Sequence, residues 1–241
     1  MRVDVAYTPA VLAPAALAGA TALVVDVLRA STSIVTALAH GCLGVVPVGD
    51  PDEARERAAA TPGALVAGER RGEPLAGFDL GNSPLEFSPA RVGGRLVFLT
   101  TSNGTGALLA VRAAAAVGVA AFVNLSAAAV WAAAERRNVV VACAGERGAR
   151  SLEDEVCAGL LVDRLLAAVP GATAGPEAGE AARHARPYGP DLGRLAQDSS
   201  WARHLAARGR ARDVAACLTL DSFALVPLYR ADVDKVVSAY R

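Results

Sequence analysis

The chain has 241 residues, 53% of them hydrophobic and 20% charged, which is enough apolar matter for a large core and unlike a disordered segment. Its formal net charge is zero and its isoelectric point lies near 6.8. That balance excludes a field able to hold a nucleic-acid backbone or an anionic membrane surface, so the expected partner is a small molecule.

Short β-branched runs alternate with Ala- and Leu-rich stretches of helical period. Strands are predicted at Leu23–Val27, Val45–Val48, Leu65–Ala67, Leu96–Leu99, Ala121–Val123 and Val139–Cys143. Between them, helices are predicted to start at the capping residues of Asp50-Pro51, Ser83-Pro84, Ser126 and Ser151, with Pro or acid in the first turn of all but the one at Ser126. The strands are apolar on both faces, so the fold class is α/β: a three-layer α/β/α sandwich around a mostly parallel or mixed sheet. Residues 1–241 read as one such domain, with a loop at Pro170–Pro190 carrying a short helix near Glu177–His184 that divides it into two subdomains at most. An amphipathic helix is expected from Asp191 to Gly209, and Val214–Leu220 with Ala224–Tyr229 supply the last ordered elements.

The uncharged interval from Arg112 to Glu135 is long enough for a membrane span, but Gly118, Asn124 and Ser126 punctuate it, and a helix end, a strand and a new helix are expected instead. The same stretch is a candidate subunit face; a homodimer is the base-rate expectation. Cys42, Cys143, Cys157 and Cys217 are scattered, with no close pair and no secretory signal, so a cytoplasmic location is expected. Cys143 reads as a small buried residue at a strand end, His40 as a helix-end cap, and His204 as a surface or satisfied helical residue; a His-based zinc site is not expected.

Four strand ends carry chemistry. The first, Asp26 to Thr32, delivers a hard oxygen ligand (Asp26), a forked donor (Arg29), and Ser31 and Thr32 at a helix start. The plain alternative is that Asp26 caps the turn and pairs with Arg29 on the surface. The second runs from Gly68-Glu69-Arg70 through Gly77 to Asn82 and Ser83, where Asx-turns and a Ser83–Glu86 capping box would explain some residues but not Glu69 and Arg70. The third, Thr100 to Gly106, holds Thr101, Asn103, Gly104 and Thr105 at a strand-to-helix turn and reads as an anion cradle; it lacks the lysine of a nucleotide-binding loop. The fourth runs from Ala144 through Glu146 and Arg147 to Ser151-Leu152-Glu153-Asp154-Glu155, whose acids either serve the helix dipole or supply a metal ligand, Asp154 first and Glu153 next. Carboxylates for Mg²⁺ beside donors for phosphate oxygens are the inventory of phosphoryl-transfer chemistry.

Five segments in order, V-V-D-V-L-R-A-S-T-S from Val24, G-E-R from Gly68, G-F-D-L-G-N-S-P from Gly77, T-T-S-N-G-T from Thr100 and S-L-E-D-E-V-C-A-G from Ser151, make the chain resemble the 2-phosphosulfolactate phosphatase family over most of its length. The resemblance implies an α/β/α fold, Mg²⁺ dependence and hydrolysis of (2R)-phospho-3-sulfolactate to 3-sulfolactate and phosphate, a step toward coenzyme M. On that reading Asp26, Glu69 and Asp154 hold Mg²⁺ and Asp26 could instead attack phosphorus. Arg29 and the Thr100–Thr105 turn neutralise the phosphate, and Arg70, Asn82 and Ser83 receive the sulfonate. Another small anionic phosphoester as substrate, or a non-catalytic role in binding a phosphorylated metabolite, are the alternatives.

Overall fold

The computed structural model describes residues 1–239. Its strands are β1 (Arg2–Ala6), β2 (Thr21–Val25), β3 (Gly44–Pro47), β4 (Leu65–Arg70), β5 (Glu73–Pro74), β6 (Leu96–Thr100), β7 (Ala116–Ala120), β8 (Val139–Cys143), β9 (Thr173–Ala174), β10 (Pro227–Arg230) and β11 (Lys235–Ser238). The helices are α1 (Pro14–Leu17), α2 (Ala30–Ala39), α3 (Pro51–Ala59), α4 (Pro89–Val92), α5 (Gly104–Ala110), α6 (Leu125–Ala134), α7 (Leu152–Ala168), α8 (Pro176–Ala185), α9 (Leu195–Asp198), α10 (Ser200–Leu205) and α11 (Ala211–Cys217).

The strands form one mixed sheet in the order β5-β4-β6-β3-β11-β10-β7-β2-β8-β1-β9. Two parallel blocks, β4-β6-β3 and β7-β2-β8-β1-β9, are spliced by the antiparallel hairpin β10–β11. The hairpin meets each block through one register pair, Leu228 with Gly118 and Val236 with Val45. Alternate residues of β2 serve opposite layers: Leu23 and Val25 pack with α6, α7 and α8, while Ala22 and Val24 pack with α2 and α5. Both faces are dry, which is why the strands read as uninterrupted apolar runs.

Three local expectations are corrected. The segment Ala121–Val123 is not a strand: β7 stops at Ala120 because the Asn124 side chain accepts from Ala121 N–H and donates to the Val119 and Leu225 carbonyls, closing a 3₁₀ turn at Phe122–Asn124. Ser126 lies inside α6 and is not its cap; its hydroxyl donates to Asp221. The stretch 191–209 is not one helix: Ser199 is extended between α9 and α10, where its hydroxyl accepts from Ala202 N–H and donates to Glu153 Oε2 at 2.7 Å. Among the described residues no helix is long and apolar enough to cross a membrane.

Helix α7 carries the acids of the fourth loop, and small residues let α8 lie close against it. A Cβ at Gly159 would collide with the Ala181 carbonyl and the Ala185 methyl. Gly179, in the same helix pair, has only the Arg183 guanidinium within reach, at 3.5 Å. Gly159→Ala is therefore expected to destabilise the protein by about 1–3 kcal/mol through overpacking, and Gly179→Ala to be neutral or stabilising by up to about 1 kcal/mol. Equilibrium denaturation of the two variants checks the contrast.

Candidate active site

The loops after β2, β4, β6 and β8 meet at the C-terminal ends of their strands, the usual place for a ligand in a parallel α/β sheet. They form a cavity lined by Asp26, Leu28, Arg29, Glu69, Arg71, Gly72, Asn82, Ser102, Asn103, Glu146, Arg147 and Trp201. Of the residues expected from sequence, Asp26, Arg29, Glu69, Asn82 and Asn103 share this cavity; Arg70, Thr101, Asn103 and Thr105 line an adjoining groove.

Asp26 sits where β2 ends. Its Oδ1 accepts from Ala30 N–H at 3.1 Å, and a Cβ at position 104 would stand 2.5 Å from its Oδ2, so only glycine lets the start of α5 approach. Burial first, then the nearby charges of Glu69 and Glu153, push the Asp26 carboxyl up to about 7 against the Ala30 hydrogen bond and the Arg29 charge. Arg29 does not pair with Asp26 on the surface. Its guanidinium is buried, with Nη1 donating to Asp213 Oδ2 at 2.6 Å and Nη2 to the Gly72 carbonyl at 2.8 Å. Asp213 Oδ1 in turn accepts from the Ser83 hydroxyl at 2.7 Å, so Ser83 is engaged in this tie and lies off the cavity wall.

Ser31 and Thr32 shape the turn. The Ser31 hydroxyl accepts from Asp26 N–H and Thr32 donates to the Val27 carbonyl; neither reaches the cavity wall. Glu69 is a clamp between loops, accepting from Gly72 N–H at 2.6 Å, Ser102 N–H at 2.7 Å and the Ser102 hydroxyl at 3.2 Å. Arg70 is held by oxygens at its own strand end, the Glu69 and Gly49 carbonyls and the Thr100 hydroxyl. Thr101 and Thr105 bond reciprocally, each hydroxyl accepting from the other's backbone N–H, which fixes the turn before α5.

The three acids of α7 are all buried and go to three partners. Glu153 accepts from Ser199, Asp154 accepts from Val27 N–H at 2.8 Å and Gly145 N–H at 3.1 Å, and Glu155 lies 2.6 Å from His184 Nδ1. Asp154 thus joins the loops after β2 and β8 instead of capping its own helix at Ser151. Burial raises the carboxyls of Glu153 and Asp154, so together with Asp26 they share one region of low dielectric with no basic partner among them.

The structure does not bring Asp26, Glu69 and Asp154 into one ligand sphere. Among the described residues, the only three donor atoms of His, Cys, Asp or Glu within 4.8 Å of one another are those of Glu155, Glu180 and His184, outside the cavity. Arg150 already pairs with Glu180 there, at 2.9 Å. What the cavity does hold is an orphan: Asn82 is buried, and its Oδ1 has no hydrogen-bond partner. A buried amide oxygen without a donor costs about 1–3 kcal/mol unless something fills it. With the unpaired Asp26 carboxylate on the same wall, the oxygens suit a hard cation such as Mg²⁺.

Sequence reasoning missed Arg71, Asp213 and Trp201. Trp201 donates from Nε1 to the Leu28 carbonyl at 2.9 Å and stacks on His204, so both belong to the cavity's outer wall. His40 reaches the Phe87 carbonyl at 2.6 Å, an anchor more specific than the dipole attraction expected of it. Cys143 is buried at the end of β8, and burial holds its thiol well above the usual range, so it is unreactive.

A sheet covered on both faces, with carboxylates, an unfilled amide oxygen and guanidiniums gathered at its C-terminal strand ends, defines an α/β protein with a polar crevice of a size and chemistry suited to a small charged ligand. A family model described as 2-phosphosulpholactate phosphatase matches residues 7–232. Proteins named probable 2-phosphosulfolactate phosphatase are similar throughout. That of Thermotoga petrophila is 38% identical over 211 residues, covering 86% of this chain and 88% of its own. Those of Symbiobacterium thermophilum and Gloeobacter violaceus are each 38% identical, over 223 and 230 residues, covering 88% and 94% of this chain and 92% and 94% of theirs. The chain belongs to the 2-phosphosulfolactate phosphatase family.

A carboxyl raised by burial has a defined sign in stability. Unfolded, Asp26 loses its proton near 3.8; folded, near 7, so stability falls as pH rises between the two and the full penalty holds above 7. Asp26→Asn, which can still accept from Ala30, is expected to melt higher than the parent at pH 8 in chelator, by a few kcal/mol (about 3–4 at most), with the gap shrinking toward pH 4. Calorimetry across that range checks it; a gap independent of pH contradicts it.

Proposed function

We propose that this chain is a Mg²⁺-dependent phosphatase that hydrolyses (2R)-phospho-3-sulfolactate to 3-sulfolactate and phosphate, a step toward coenzyme M. The observation that carries the reading is the pairing, on one cavity wall, of a buried carboxylate without a cationic partner and a buried amide oxygen without a donor. A site meant only to bind an anion gains nothing from either group. Family membership supplies the substrate.

Asp26 and Asn82 Oδ1 would hold the ion, with Glu69 beside them. When bound, Mg²⁺ supplies charge neutralisation at the phosphate oxygens and lowers the pKa of a water. Arg29 has spent two of its five N–H groups on Asp213 and Gly72, and the rest are positioned by those bonds to meet a phosphate oxygen at no further ordering cost. The clamp of Glu69 on Ser102, and the Thr101–Thr105 pair, hold the third loop rigid so that Asn103 presents a fixed face to the ester. Water is the attacking group in this scheme, and Asp26 remains unmodified through turnover. The four cysteines are buried thiols, which supports a reducing compartment such as the cytoplasm.

Phosphate release from a panel of phosphoesters, with and without chelator, tests the reading: phosphosulfolactate is expected to be the preferred substrate and chelator to abolish turnover. Asn82→Ala is expected to raise the Mg²⁺ concentration for half-maximal rate by about tenfold or more and to recover much of kcat at saturating Mg²⁺. Acid-quenched turnover with labelled substrate is expected to trap no phosphoenzyme; label on Asp26 would make it the nucleophile.

A further inference from the structure

An ester that carries a sulfonate as well as its phosphate and carboxylate needs donors for the sulfonate besides those that face the phosphate, which are described above. Two loops of similar sequence supply the remainder: Gly68-Glu69-Arg70-Arg71-Gly72 at the end of β4 and Gly145-Glu146-Arg147-Gly148 after β8. In both, the Arg before the final Gly is left-handed, with φ 55° at Arg71 and 53° at Arg147, followed by Gly72 and Gly148 at 84° and 78°. A left-handed Arg is uncommon and is kept only where its surroundings impose it. Here Ser102 Oγ accepts from Arg71 N–H at 3.0 Å, and Glu146 and Ala149 exchange backbone hydrogen bonds at 2.9 Å around Arg147.

The outcome is that both side chains line the central cavity and both grooves that flank it, from opposite blocks of the sheet. The other arginines nearby are engaged: Arg29 with Asp213, Arg70 with three oxygens, Arg208 with Glu73. Among the described residues, neither Arg71 nor Arg147 has an ion pair or a side-chain hydrogen bond. Of the acids on the same wall, Glu69 accepts from the Gly72 and Ser102 backbone N–H groups, Asp26 accepts from Ala30 N–H, and Glu146 also lines the cavity. Two unspent guanidinium forks at the rim match a group with three equivalent charged oxygens.

We propose that Arg71 and Arg147 together form the subsite for the sulfonate end of the substrate, in place of Arg70, Asn82 and Ser83. The assignment rests on the phosphatase reading, and its test separates the two. Arg71→Asn, Arg147→Asn and the double variant are suited to it because asparagine tolerates a left-handed backbone, so unchanged melting is the expected control. KM for phosphosulfolactate is expected to rise about tenfold or more in each single variant, while KM for phospholactate, which keeps the carboxylate and lacks the sulfonate, stays within about twofold. Values of kcat are expected to hold on both. Equal losses on the two substrates would put these arginines on the phosphate or the carboxylate, which both substrates share, and unchanged KM values would leave them idle; either overturns the subsite. Binding of 3-sulfolactate, measured by calorimetry on the parent and the double variant, decides the subsite without turnover: loss in the double variant supports it, and equal binding overturns it. A parent protein that binds 3-sulfolactate yet releases no phosphate would overturn the phosphatase reading alone.

Discussion

The site is organised around a carboxylate buried without a counter-charge. Asp26 lies at the end of a strand with two parallel neighbours, in a region it shares with Glu153 and Asp154, and the Arg three residues along turns away to Asp213. Removing a carboxylate from water is expensive unless an ion pair or dense hydrogen bonding repays it, and Asp26 has little of either. The rest of the fold offsets that expense elsewhere, through a tightly covered sheet and helices in close contact.

Polar residues far apart in sequence then tie the loops together. Asp154 joins the loop after β2 to the one after β8, Glu69 joins the end of β4 to the one after β6, and Asp213 joins Arg29 to Ser83. Trp201 fastens the broken helix 195–205 to Leu28. Each tie satisfies buried donors or acceptors that would otherwise be costly, so the cavity is rigid before anything enters it. That rigidity is what lets a few donors act on a small ester without paying to order themselves.

Much of this was legible in the chain. Uninterrupted apolar strands announced a parallel sheet dry on both faces, and four strand ends carrying acids, hydroxyls and arginines announced where the site would be. What the sequence could not convey was how a polar residue is spent. Ser31, Thr32 and Ser83 look like ligand-binding hydroxyls, yet they fold the turn or brace Asp213, because a buried hydroxyl must be satisfied locally whatever else it could do. Asp154 resembles a metal ligand and serves as a loop clamp, since its partners Val27 and Gly145 come near only in three dimensions. Arg71 and Arg147 were hidden by the abundance of arginine; the signal that would have found them is the recurrence, after two different strands, of a Gly-Glu stretch whose last Arg stands directly before a glycine. The turn at Ala121–Val123 escaped for a similar reason, because the Asn124 side chain that ends β7 bonds to Leu225, a hundred residues on.

The central proposal is that Asp26, its carboxyl raised to about 7 by burial, receives a hard cation. Carbon-detected NMR titration of the Asp26 carboxyl in chelator, and again with saturating Mg²⁺, measures it directly. The expected result is a midpoint near 7 that drops well into the acid range when the ion is added. An ordinary midpoint near 4 in chelator, or one that Mg²⁺ leaves unmoved, would contradict the account.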